Sequence, residues 1–172
     1  MFLTDPGLVP VPGCPDLWWL DGPLVWTDQN GTITVPQGFI SDDASVPKVL
    51  DWIPFLDRQG LSRRPGLAHD ALYSLGRTRG KAYADSMLRA FCLAEGMNAF
   101  QAGIYFQGVN LFGASSWAKD ARAGTFGVVD SGDFISVFAY QAWIAAGGTI
   151  FGPPQPPQGT QDVKAGQGPS PA

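Results

Sequence analysis

Ser62-Arg63-Arg64-Pro65-Gly66-Leu67-Ala68-His69-Asp70-Ala71-Leu72-Tyr73 decides how the chain is read, because it carries the single histidine and opens a helical hairpin. Proline suits a first helical turn and glycine the position just past a helix end. Pro65 and Gly76 therefore bound one helix, and Gly80 and Gly96 bracket a second from Lys81 to Glu95. On the first helix His69 and Tyr73 are one turn apart and share a face, while Asp70 lies about 100° round and faces another neighbour. On the returning helix Asp85 can reach the far nitrogen of His69, and apolar Ala84, Leu88, Phe91 and Cys92 recur at helical spacing.

Upstream the texture changes. Pro6, Pro10, Pro12 and Pro15 are too many for a helix or a central strand, so residues 1–16 are expected as an extended arm. Short β-prone runs follow at Leu17 to Leu20, Leu24 to Thr27 and Thr32 to Val35, separated by Asp21-Gly22 and Asp28-Gln29-Asn30-Gly31 as turn chemistry. This predicts a small antiparallel meander over residues 17–40, with Trp18, Trp19 and Trp26 covering one sheet face or the junction with the helices. Pro36 to Pro47 then frames an acidic, hydroxyl-rich hook. In it Asp42 or Ser45 either caps a short helix from Lys48 to Trp52 or, for Asp42, delivers a carboxylate to the His69 site.

Downstream, Asn98 caps a third helix to about Phe112, where Gly103 and Gly108 are expected to let backbones approach closely. Gly113 ends that helix, and Ser115 or Ser116 caps a short amphipathic turn holding Trp117, Lys119 and Arg122. Phe134 to Phe151 carries no charge, but Gly147-Gly148 and Gln141 interrupt it and no close lysine or arginine flanks it. A buried or interfacial helix from about Asp133 to Ala146 is expected rather than a membrane span. From Pro153 to Ala172 the Pro/Gly/Gln-rich composition predicts a disordered tail. The fold class is α+β: one domain over residues 1–152, an N-terminal β-meander followed by about four or five helices within residues 62–146.

A hydrophobic content of 45% with 12% aromatics is enough for a core in 172 residues. The net charge of −4 argues against a nucleic-acid binder that works by blanket phosphate neutralisation. Locally the balance reverses. Arg58, Arg63, Arg64, Arg77, Arg79, Lys81 and Arg89 face only Asp70 and Asp85 between residues 58 and 89, an excess of +5. Such an excess either draws an anionic ligand or lipid surface, with Arg63, Arg64, Arg77 and Arg79 as its contacts, or is a solvated face with ion pairs such as Asp85 with Arg89. Cys14 and Cys92 have no metal spacing and are expected as core residues, and Met1 to Pro6 carries no secretion signal, so synthesis in a reducing cytosol is expected.

One histidine excludes a His-Glu-x-x-His zinc helix and a two-histidine phosphohydrolase centre within one chain; phosphate-loop, Gly-x-Ser-x-Gly and Rossmann patterns are absent too. A His-Asp dyad remains. In it His69 takes a proton from water, Asp85 holds its tautomer, Tyr73 supports Asp85 by a hydrogen bond, and Asp70 ligates Ca²⁺ or Mg²⁺. The bland alternative is a helix histidine satisfied by Asp42 or Asp85 in a structural network.

Val35-Pro36-x-Gly38-Phe39-x-Ser41-Asp42-x-Ala44-Ser45-x-Pro47, followed by Arg64, His69-Asp70-x-Leu72-Tyr73, Ala84-Asp85, Tyr105 and Phe112-Gly113, resembles a phage and prophage family catalogued as a domain of unknown function, over about residues 17–117. Membership implies a bacteriophage or prophage origin, so the cytosol of synthesis is expected to be the host's, and other virion proteins are the partners expected in the second of the two readings below. His69-Asp70-x-x-Tyr73 with Ala84-Asp85 is also similar to the hairpin of calcium-dependent phospholipases. That resemblance implies His69 as base, Asp70 as calcium ligand and Asp85 as the group orienting the histidine; no calcium loop of their pattern precedes the helix, and Leu72 stands where their cysteine would. Two functions are therefore expected as alternatives: a metal-assisted hydrolase of a host-envelope ester or phosphoester, or a noncatalytic virion or accessory interaction protein.

Overall fold

The computed structural model describes residues 1–11, 14–41, 60–123, 129–130, 133–134 and 149–153. Strands come first, as β1 (Leu8–Val11), β2 (Cys14–Leu20), β3 (Leu24–Asp28), β4 (Gly31–Val35) and β5 (Ile40–Ser41). Helices α1 (Arg63–Ser74), α2 (Lys81–Ala94), α3 (Ala99–Phe112) and α4 (Ala114–Ala123) follow, then short strands β6 (Val129–Asp130), β7 (Asp133–Phe134) and β8 (Phe151–Gly152). The class is α+β, as expected.

Where the sequence predicts one meander, the strands divide between two sheets. β2 lies between β1 and β5, and β4 between β3 and β8, all antiparallel. β3 and β4 form a hairpin closed by Gln29-Asn30, where the Asp28 side chain accepts from the Asn30 N–H at 2.7 Å. Asp21-Gly22-Pro23 is a corner between the sheets.

The proline-rich start is extended but it is no free arm. Leu3 N–H donates to Val25 O at 2.8 Å and Thr27 N–H to Met1 O at 2.9 Å, while the Thr4 hydroxyl bridges Pro23 O and Val25 N–H. Residues 1–4 thus line the edge of β3, and β1 flanks β2. The prolines deter helix without preventing pairing. Pro10 sits on an edge strand, and Pro15 falls where the β1–β2 register slips beside Pro10 and Val11, so β2 is central in its sheet despite its proline.

Leu24 and Trp26 pair with Val35 and Ile33 on one face of the hairpin, and these four pack with Leu20, Phe39, Leu67, Leu72 and Phe91 in the main core. Trp26 meets Phe91 edge-on at 4.8 Å and Phe2 at 5.1 Å, so it serves the sheet–helix junction. A second cluster, Leu88, Cys92, Met97, Ala102, Tyr105 and Val109, joins α2 to α3. Burial pushes the Cys92 thiol up to about 12, in keeping with a core residue.

Asn98 caps α3, its side chain accepting from Gln101 N–H at 2.9 Å. Other expectations need correcting. α4 starts at Ala114, directly after Gly113, so Ser115 and Ser116 lie inside its first turn and do not cap it. A Cβ on Gly103 would meet nothing within 4 Å, so this glycine marks open surface and not a close backbone approach. Asp133 and Phe134 form a strand paired with β6, not the start of a helix. The rest of that expected helix, the Lys48 to Trp52 helix and the tail from Pro154 lie outside the described residues. No helix among the described residues is long and apolar enough to cross a membrane.

Phe91 is fully buried against Trp26 and Phe2. Phe91→Ala is expected to lower the unfolding free energy by about 3–5 kcal/mol in denaturant titrations.

Candidate active site at the α1–α2 hairpin

A 3-10 turn, Arg77–Arg79, joins α1 to α2. Gly80, with φ of +80°, adopts a conformation that favours glycine and turns the chain back along α1. The return brings His69 and Asp85 together at 3.4 Å between Nε2 and Oδ1. Tyr73 donates its hydroxyl to the same Oδ1 at 2.6 Å, its ring 4.1 Å from the imidazole. Lys81, one turn before Asp85, donates to Oδ2 at 2.6 Å and to the Val109 carbonyl of α3 at 2.8 Å. The ion-pair partner of Asp85 is therefore Lys81 and not Arg89, which instead lines an open groove along α3.

Both members of the dyad are interior, His69 at 6% and Asp85 at 1% exposure. Burial holds the His69 pKa below its ordinary value, with Lys81 adding to the effect and Asp85 opposing it. Burial works to raise the Asp85 carboxyl, but hydrogen bonds from His69, Lys81 and Tyr73 outweigh it and hold the group below the usual range. At neutral pH the pair is thus a neutral imidazole against a carboxylate. Asp85 is the only hydrogen-bond partner of the imidazole among the described residues.

Gly113, at the α3–α4 junction, closes this corner. A Cβ there would overlap the Val109 carbonyl oxygen and the Tyr73 hydroxyl, so any side chain would displace the group that supports Asp85. Arg77 packs beside it, its guanidinium 3.8 Å above Trp117 and hydrogen-bonded to the Tyr73 and Trp117 carbonyls.

Asp70 turns away from the dyad, as its place on the helix requires, and accepts from the Ser41 hydroxyl of β5 at 2.8 Å. Asp42 lies outside the described residues. Among the described residues no three His, Cys, Asp or Glu side chains gather into a cation site. The described residues thus bring one carboxylate and one hydroxyl to this corner, where calcium takes about six to eight oxygens.

The four arginines expected at an anion site do not converge on one. Arg63 donates to the Pro6 carbonyl, and Arg64 to Glu95 at 2.7 and 3.0 Å. Arg77 is committed to α4, and Arg79 packs over Phe151 and Tyr83. The planar guanidinium suits carbonyls, carboxylates and aromatic faces, and those partners take the four side chains in separate directions. Sequence reasoning missed Lys81 as the partner of Asp85, although its one-turn spacing was legible. Ser41, quoted within a motif, carried no sign of its bond to Asp70.

An α+β domain with a buried His-Asp-Tyr-Lys network is the class these features define. A family model described as a protein of unknown function, DUF1353, matches residues 18–109, and the chain belongs to that family. The match runs from β2 into α3 and includes every member of the network. No curated protein and no solved structure matches the chain.

A histidine whose folded pKa is lowered takes up its proton in the unfolded chain first. Its contribution to stability is complete above the unfolded value, about 6.5, and is lost as pH falls through it. Denaturant titrations below pH 6.5 are expected to show wild type losing up to about 1.4 kcal/mol per pH unit from this source. His69→Gln should remove that slope until the carboxylates titrate.

Proposed function

We propose that this protein is a phage- or prophage-encoded hydrolase in which His69 is the general base and Asp85 orients it, acting on an ester or phosphoester of the host envelope. The observation that carries the reading is the anchored dyad: Nε2 of His69 faces an Asp85 whose two oxygens are held by Tyr73 and Lys81. With Nε2–H donated to the carboxylate, Nδ1 is the lone-pair nitrogen that takes the proton from water, and Asp85 stabilises the imidazolium that forms. The neutral state of His69 near pH 7 suits that role. Turnover of phospholipid vesicles, phosphodiesters and peptidoglycan by the purified protein is the test. Activity on one of them is expected to fall about 100-fold or more in His69→Ala and to fall in Asp85→Asn; turnover unchanged in both variants, with their folds intact by circular dichroism, removes the proposal.

A second reading, a noncatalytic virion or accessory protein, is favoured by a separate observation. α3 carries no charged residue, and Phe100, Leu111 and Phe112 on it are 72%, 66% and 49% exposed beside an open groove of about 630 Å³. An apolar face of this kind suits another virion subunit. Stoichiometric presence in purified particles, together with no turnover of any of the three substrates, selects this reading; absence from particles removes its virion form.

A further inference from the structure

We propose that Lys81 is a positioning residue for His69: by bridging Asp85 to α3 it fixes the orientation of the carboxylate that the imidazole meets. The inference rests on the reading of His69 and Asp85 as a working dyad. A carboxylate can rotate about its bond to Cβ and swing its oxygens out of line with the imidazole unless both are tied. Here Oδ1 takes the Tyr73 hydroxyl and the His69 ring nitrogen, and Oδ2 takes only Lys81 among the described residues. Lys81 is in turn held by the Val109 carbonyl at 2.8 Å, in the last turn of α3. The acceptor for His69 is thus gripped from α1, α2 and α3 together.

Local helix energetics do not account for this lysine. It is the first residue of α2, at the positive end of the helix dipole, where a cation is disfavoured. A cation placed one turn before an acid is also the weaker orientation of such a pair in an isolated helix. What the placement supplies is reach. From the first turn the ammonium spans both Asp85 and the α3 carbonyl, and an ammonium has three donors to offer.

The chain has one histidine, so ring ¹⁵N shifts of labelled protein report on His69 without ambiguity. Wild type at pH 7.5, about one unit above an ordinary histidine pKa, is expected to show a single tautomer protonated at Nε2. Lys81→Met, similar in length but without donors, is expected to show a mixture of tautomers, and Lys81→Arg to restore the wild-type shifts. A single Nε2–H tautomer in folded Lys81→Met overturns the proposal, as does a folded Lys81→Arg that matches Lys81→Met. If Lys81→Met does not fold, Lys81→Gln replaces it; a partial mixture is expected there, and wild-type shifts overturn the proposal. These spectra are independent of turnover, so failure of the hydrolase reading and failure of this one are separable.

Discussion

A carboxylate with almost no access to water governs the helical half of this molecule. Removing an ion from solvent costs several kcal/mol unless its lone pairs are occupied, and losing one partner of a buried pair leaves most of that cost uncompensated. Asp85 meets the requirement with donors from three directions: Tyr73 and His69 on α1, and Lys81 on its own helix. Since Lys81 also holds Val109, the demand of one acid sets the spacing of α1, α2 and α3 at once. Gly113 follows from the same demand, because the Tyr73 hydroxyl occupies the space a Cβ would need.

What was legible in the sequence is what local chemistry controls. Gly76, Gly80 and Asn98 act through their own backbone and nearest turns, so the helices fall where these residues place them. The dyad was legible for a related reason: helical spacing puts His69 and Tyr73 on one face, and a short turn obliges α2 to return past them. Strand partnership is a different kind of fact. β2 takes β5 as a neighbour and β4 takes β8, and nothing near either strand specifies a partner that distant.

The arginines show the same limit in charge. Counted along the chain they make a basic patch, but a guanidinium sits on a long stem, and its destination depends on which carbonyls and rings the fold exposes within reach. Arg64 reaches Glu95 beyond the hairpin, and Arg77 reaches Trp117 on α4. The pairing of Lys81 with Asp85 falls inside that count and leaves it unchanged, whereas Glu95, the partner of Arg64, lies outside it. Net charge over a window therefore overstated what remained for a ligand.

β4 receives its second neighbour from the far end of the domain: Ile33 pairs with Phe151, and the Thr32 hydroxyl donates to the Pro153 carbonyl across a separation of 121 residues. During synthesis the β3–β4 hairpin leaves the ribosome long before that strand exists, so one flank of β4 stays open while the helices form. Completion of the sheet is then a late event, and the nascent chain carries an unpaired edge on which a chaperone or a like chain could settle in the interval.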